Sequence, residues 1–217
     1  MLNGVLTICP AADATSVPAF LAIQTNVQTW SADFVQTRTL KSLTQPLTST
    51  GRVVFLAPDS FRWEIGQPAQ TIALRRTNEM LVIYPQLKRV ERYPLATESR
   101  APWQDMLTLL EAGFPGDAAT IESRFRILSA TTSNGICRLE LSPRATATRK
   151  WVSQIQLAFA TNTGSLVSTE LKFADGSALR NDFTNGVVNT PLNGVLFHPE
   201  VPADFKITQP LARSPTR

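Results

Sequence analysis

Histidine is almost missing from this chain: His198 is the only one among 217 residues. An imidazole metal cluster or a histidine-driven active site therefore has little to be built from. His198 stands in "LFHPE", ahead of a proline, with no recognisable nucleophile or orienting carboxylate beside it. It reads as a structural residue at a strand end. The signatures H-E-x-x-H, G-x-S-x-G, the P-loop and the dinucleotide fingerprint are absent. Acid pairs such as Asp117 and Glu122 fall in helix or loop without catalytic spacing. No enzyme activity, cofactor or metal is expected, and the weight moves to binding.

Cysteine is scarce as well. Cys9 and Cys137 are too far apart for a disulfide framework or a zinc pattern. Cys137 alternates with Leu139 and Leu141, so it reads as a buried strand thiol. No apolar run approaches about 18 residues, the length a membrane-crossing helix needs. There is no long basic run either: 21 basic and 17 acidic side chains leave a charge of +4. The densest patches, Arg75-Arg76 and Lys88-Arg89 with Arg92, have Glu91 nearby and read as solvated strand faces. Nucleic-acid binding, which uses a basic stripe, is not expected.

What the chain does have is alternation. In "PDSFRWEIGQP", Phe61, Trp63 and Ile65 share one side and Arg62 and Glu64 the other, the period of a half-buried strand. The runs "GRVVFLA", "SFRWEI", "QTIALRR", "MLVIY" and "KRVERY" follow one another through links of two or three residues. Such short links make an antiparallel meander, because parallel neighbours need a crossover of about a dozen residues. Strands resume in "SRFRILSAT", "GICRLELS", "WVSQIQLAFA", "SLVSTELKFA", "SALRNDFTN" and "GVLFHP". Asn162-Thr163-Gly164 and Asp175-Gly176 are hairpin signals.

Two longer helices and one short one are expected. The first runs from Val17 to Trp30 with Ser16 as its cap. A Ser/Thr-rich connection, Ser42 to Thr50, follows the first strand. The second helix is the insertion "APWQDMLTLLEAGFPG", where Trp103, Met106, Leu107 and Leu110 fall at i, i+3, i+4 and i+7 and Gly113 closes the run. A short helix from Asp117 to Glu122 comes next. Residues 1–15 read as an export-signal remnant or a floppy tail, ending Ala12-Asp13-Ala14 with no Lys or Arg before Arg38. Residues 16–210 form one domain, and 211–217 a disordered tail. The whole is mainly β with some α: one curved antiparallel sheet of roughly a dozen strands, whose inner face only the helices can cover.

At this point the order of features resembles the LolA-type periplasmic carriers of outer-membrane lipoproteins. Trp30 to Gln36 with "ADFVQ" is similar to the family's aromatic-x-x-x-F-x-Q. Gly51, the strand "RVVFLA", Pro58, Phe61-x-Trp63, Gln67-Pro68 and a strand ending on Tyr84-Pro85 follow in the family's order. "NDFTN" and "GVLFHPEVPADFKI" look like its last strands. The family pattern has an arginine just before the proline of P-x-x-F-x-W; here that residue is Ala57.

The resemblance implies an incomplete, half-open β-barrel of about eleven strands with a helical lid. It implies a periplasmic monomer that takes acylated cargo from an inner-membrane ABC transporter to an outer-membrane acceptor. An apolar ligand would lie against Phe34, Phe55, Phe61, Trp63, Ile65, Ile72, Leu74, Ile155, Leu157 and Phe159 from the sheet, and Trp103, Met106, Leu107 and Leu110 from the lid. For each strand residue the plain alternative is core packing. Three other readings stand beside it. A membrane-anchored acceptor or sensor on the same fold would need a lipobox, which Leu6-Thr7-Ile8-Cys9 fits poorly. A transmembrane barrel conflicts with Arg62, Glu64, Arg138 and Glu140. A hydrolase would have to run on His198.

Overall fold

The computed structural model of the chain describes residues 24–76, 78–95 and 118–210. Twelve strands form one sheet: β1 (Thr29–Thr39), β2 (Leu47–Leu56), β3 (Ser60–Ile65), β4 (Thr71–Arg75), β5 (Glu79–Tyr84), β6 (Arg89–Pro94), β7 (Phe125–Ser133), β8 (Ile136–Pro143), β9 (Val152–Ala160), β10 (Leu166–Phe173), β11 (Ala178–Val188) and β12 (Lys206–Thr208). Helix α1 (Ala118–Arg124) precedes β7, and one turn, α2 (Thr146–Arg149), links β8 to β9.

The spatial order is β12-β6-β5-β4-β3-β2-β1-β11-β10-β9-β8-β7. Two meanders, β1 to β6 and β7 to β11, are stitched together by β1 pairing with β11. The edge strands β12 and β7 do not pair with each other, so the sheet is open. All neighbours are antiparallel except β12, which lies parallel to β6.

The turns carry the expected chemistry, with one addition. Between β7 and β8 the pair Asn134-Gly135 takes φ of 52° and 71°. Two successive positive φ values make the type I′ hairpin whose twist matches that of the strands. In the β10–β11 turn the backbone N–H of Ser177 donates to Asp175 Oδ1 at 2.9 Å, and the Ser177 hydroxyl donates to the same oxygen. These bonds hold the Asp175 carboxyl below its ordinary range. A carboxylate held low stabilises the fold above its unfolded pKa, about 4, and loses that contribution as pH falls through the lowered value. The gap in melting temperature between the parent and Ser177→Ala should therefore be full at neutral pH and narrow on acidification. Thermal melts between neutral and strongly acidic pH would measure it.

Three sequence expectations are corrected. Trp30 does not close a helix; it lies in β1, paired with Phe55 and Val188. The Ser/Thr-rich stretch is not a loop to its end, because β2 starts at Leu47 opposite Arg38. Threonines suit an exposed, pleated strand. "GVLFHP" is not a strand: Gly194–Phe197 is a 3₁₀ turn whose Val195 N–H donates to the Asn193 side chain at 3.0 Å. Pro191, Pro199 and Pro202 deny this segment a continuous ladder. The helix at 117–122 is present as α1, shifted slightly. The insertion "APWQDMLTLLEAGFPG" and residues 17–23 lie outside the described residues.

The sheet has two unlike faces. One is apolar over most of its width, from Met80 on β5 to Phe125 on β7. The other is apolar only over β2 to β6, where Val54, Ile72, Leu74, Leu81, Ile83 and Val90 are buried. Residues 192–205 cross that region and cover it with Leu192, Leu196, Phe197, Val201 and Phe205. Arg62 Nη1 donates to the Leu196 carbonyl at 3.1 Å, and Lys88 Nζ meets Asp204 at 2.7 Å, pinning the segment down. Beyond β1 the second face turns polar, with Arg138, Glu140, Gln156, Glu170, Arg180 and Asp182 together. That contrast explains the sequence. Strands buried on both faces read as apolar runs, such as "MLVI"; strands buried on one face alternate, as in "CRLEL".

Candidate functional site

The first face is centred on four rings. Phe34 and Trp63 lie with centroids 4.6 Å apart and planes inclined at 38°. Phe183 meets Trp63 edge-on at 6.2 Å and Phe34 at 6.3 Å. Trp30 joins Phe183 edge-on at 5.0 Å. Offset and edge-to-face contacts of this kind stabilise aromatic pairs by about 0.5–1.5 kcal/mol beyond the area they bury. Phe34 and Trp63 are each 2 % exposed and Phe61 1 %. The rings are packed against one another and closed to solvent.

Backbone makes the cluster possible. Phe34 faces Gly51 on one side and Phe183 on the other. A Cβ on Gly51 would lie 2.4 Å from Phe34 Cζ and 2.0 Å from the Glu64 carbonyl oxygen. The glycine is there because the ring occupies the place a side chain would need. Trp30 Nε1 donates to Ser165 Oγ at 3.0 Å, and Gly186 leaves room for that serine.

The two sequence motifs "ADFVQ" and "NDFTN" turn out to be cross-strand partners. Phe34 opposes Phe183, and Gln36 opposes Asn181. Gln36 Nε2 donates to Asn181 Oδ1 at 3.0 Å, and Asn181 Nδ2 donates to Thr169 Oγ1 at 3.1 Å. Asn181 is fully buried, so this chain of bonds satisfies a polar group that would otherwise cost about 1–3 kcal/mol. It fixes the register of β1 against β11.

The sequence-derived binding set divides. Phe34, Phe55, Phe61, Trp63, Ile155, Leu157 and Phe159 share the first face, with Ile65 packed at its margin. Ile72 and Leu74 do not. Their neighbours in β4, Ala73 and Arg75, pair with Trp63 and Phe61, so parity puts Ile72 and Leu74 on the second face. There they lie beneath the 192–205 segment and cannot share a wall with Phe61 and Trp63. Trp103, Met106, Leu107 and Leu110 lie outside the described residues. Trp30, Met80, Tyr93 and Phe183 belong to the first face and were missed. Cross-strand pairing finds them: Met80 opposes Arg75 and Tyr93.

Toward β6 the same face becomes polar. Tyr93 donates its hydroxyl to Glu91 Oε2 at 2.7 Å, and Arg89 lies over the Tyr84 ring at 4.5 Å. Burial, with Glu91 adding to it, pushes both phenols up, so neither ionises near neutrality. Burial likewise pushes up the Cys137 thiol and keeps it unreactive. Ala57 packs at the margin of the first face, and its N–H donates to the Gln28 carbonyl at 2.8 Å. Arg62 cannot stand in for an arginine at that position, because it projects from the second face to Glu64 and Leu196.

His198 is exposed and lines a pocket of about 470 Å³ with Arg76, Asn78, Glu79, Arg92, Pro94 and Gln209. That lining has no hydroxyl or thiol nucleophile, and its one carboxylate, Glu79, pairs with Arg76 at 3.5 Å. Among the described residues no group of three His, Cys, Asp or Glu side chains is arranged to hold a metal ion. No described helix is long and apolar enough to cross a membrane.

The sequence model of the family described as "Outer membrane lipoprotein carrier protein LolA" matches residues 25–200. The chain belongs to the LolA family. The matched span includes the whole aromatic cluster and ends before β12. Among solved structures, an uncharacterized conserved protein from Thermus thermophilus is similar with a TM-score of 0.53 at 12% identity, covering 89% of this chain and 99% of that one. A putative outer membrane lipoprotein-sorting protein domain from Vibrio parahaemolyticus gives 0.47 at 14% identity, over 84% and 94% of the two chains. A LolA superfamily protein from Nitrosomonas europaea gives 0.43 at 10% identity, over 85% and 98%. At 12% identity the likeness to the Thermus thermophilus protein concerns the fold alone. Curated protein sequences give no significant match.

Proposed function

We propose that this LolA family member is a periplasmic carrier that holds the acyl chains of a lipoprotein, or of another acylated lipid, against the first face of its sheet. It passes them between an inner-membrane ABC transporter and an outer-membrane acceptor. The observation that supports this reading is the cluster of Phe34, Trp63 and Phe183 on an open sheet of a carrier family. Binding without bond-making chemistry agrees with the make-up of that face, where the Tyr84 and Tyr93 phenols and the Cys137 thiol are held in their neutral forms by burial.

The energetics suit a carrier. At about 0.8 kcal/mol per methylene, a chain of ~14 methylenes carries roughly 11 kcal/mol of transfer free energy. Because the rings are closed on one another, cargo has to part them or uncover an adjoining wall. The cost of doing so is subtracted from binding, which lets a tight apolar contact still release its load.

Trp30 and Trp63 lie on this face, so they report occupancy. A fatty acid brominated along its chain should quench their fluorescence, and Trp63→Phe should remove much of that quenching. Mass spectrometry of lipid extracted from natively purified protein should recover an acylated species. Native protein free of lipid, together with no quenching by any brominated chain, would sink the carrier reading.

A further inference from the structure

Three arginines converge where no carboxylate among the described residues forms an ion pair with them. Arg126 on β7, Arg144 after β8 and Arg149 on α2 line a pocket of about 350 Å³, closed off by Ser142 and Pro143. The pocket lies at the β7 edge of the sheet, away from the 192–205 segment. Elsewhere on the described surface five arginines stand beside a carboxylate: Arg62 with Glu64, Arg75 with Asp59, Arg76 with Glu79, Arg89 with Glu91, and Arg180 with Glu170 and Asp182.

Two of the three guanidinium groups are held in place by the backbone. Arg144 Nε donates to the Glu122 carbonyl at 2.6 Å and to the Phe125 carbonyl at 3.2 Å. Arg149 Nη1 donates to the Pro143 carbonyl at 3.1 Å and to the Arg144 carbonyl, and its Nη2 to Thr146 Oγ1 at 3.1 Å. Neutral carbonyls orient a guanidinium and leave its charge whole. Each side chain has spent its ordering entropy before a ligand arrives, and a planar fork so fixed suits a phosphate or carboxylate oxygen. Next to the pocket stand Lys150 and Trp151, the latter 49 % exposed. An accessible indole beside cations that no described carboxylate pairs with suits a bilayer's headgroup region: cations meet phosphate, and the ring lies at the interface.

We propose that this pocket receives the phosphate of an anionic phospholipid and seats the β7 edge on a membrane surface, with Trp151 as the interfacial contact. The site is separate from the aromatic face, and it stands whether or not that face carries an acyl chain. It differs from the Arg75-Arg76 and Lys88-Arg89 patches of the sequence, whose members pair with acids.

Co-flotation of the full chain with vesicles tests it. The chain should float with vesicles containing phosphatidylglycerol, poorly with phosphatidylcholine alone, and less as ionic strength rises. Arg126 is exposed on a strand and lends itself to substitution without disturbing the backbone anchors of the other two. Arg126→Gln should weaken partitioning about fivefold, and Arg126→Lys should restore most of it. Trp151→Ala should weaken it too. Lys206→Gln, on the opposite edge strand β12, should leave it unchanged. Equal flotation on both vesicle types, equal losses from Arg126→Gln and Lys206→Gln, or binding of glycerol phosphate without binding to vesicles would each overturn the proposal.

Discussion

Replacing Trp63 with alanine should lower the unfolding free energy by about 3–5 kcal/mol, a large share of the about 5–15 kcal/mol that holds a domain together. Trp63 is buried between Val53 and Ala73 on the flanking strands and beneath Phe34 and Phe183. Ala73 is too short to fill the space, and Val53 is stiff at χ1. The hole therefore stays largely open, and the cost includes the lost ring contacts as well as the lost transfer free energy. Urea denaturation would show a lower midpoint with an unchanged slope. Trp63→Phe keeps most of the volume and should cost far less. Under the proposed function, an acyl ligand should raise the melting temperature of the parent by mass action and do so less for Trp63→Ala.

Gly51→Ala should be the other severe change, with a loss at or above the upper end of the about 1–3 kcal/mol typical of overpacking. The added methyl meets the Glu64 carbonyl at 2.0 Å and the Phe34 ring at 2.4 Å. Glu64 is held by both neighbours of β3, opposite Arg52 and Ile72, so its carbonyl cannot retreat without opening a ladder. Phe34 can move only by leaving Trp63. Near-ultraviolet circular dichroism should change along with stability. Adding Phe34→Leu to Gly51→Ala should recover part of the loss, and the double-mutant cycle should give a clear coupling energy. Full additivity of the two changes would contradict the packing described for this face.

How much of this could be read in the sequence depended on parity. The alternation in "SFRWEI" assigned Phe61, Trp63 and Ile65 to one face, and the register agrees. "TIALR" and "MLVIY" are apolar at both parities, because both faces of β4 and β5 are buried. Such runs carry no sign of which side is which, and only pairing with β3 moves Ile72 and Leu74 to the second face. The covering segment was hidden by its prolines, which made "GVLFHP" read as a strand end rather than a turn that buries Phe197. Trp30 was absorbed into a helix because its period fitted the preceding residues; pairing with both Phe55 and Val188 outweighed that local preference. The arginine pocket was invisible for another reason. Arg126, Arg144 and Arg149 each look like an ordinary exposed residue until the β7–β8 hairpin and α2 bring them to one place.

The way the sheet is stitched also bears on how the chain reaches it. Each meander forms from neighbours in sequence, whereas the seam between them joins Gln36 to Asn181 across 145 residues. Closing a loop of that length costs about 4 kcal/mol of chain entropy before any contact repays it. The β12–β6 pairing is similarly remote, with 116 residues between Lys88 and Asp204. Such topology slows folding. On a ribosome the order is stricter still. The first meander is complete long before residues 192–208 emerge, and until then the apolar side of β2 to β6 and the open edge of β6 wait uncovered. Residues 192–208 thus end the period in which a nascent molecule presents this sticky side of the sheet to its neighbours.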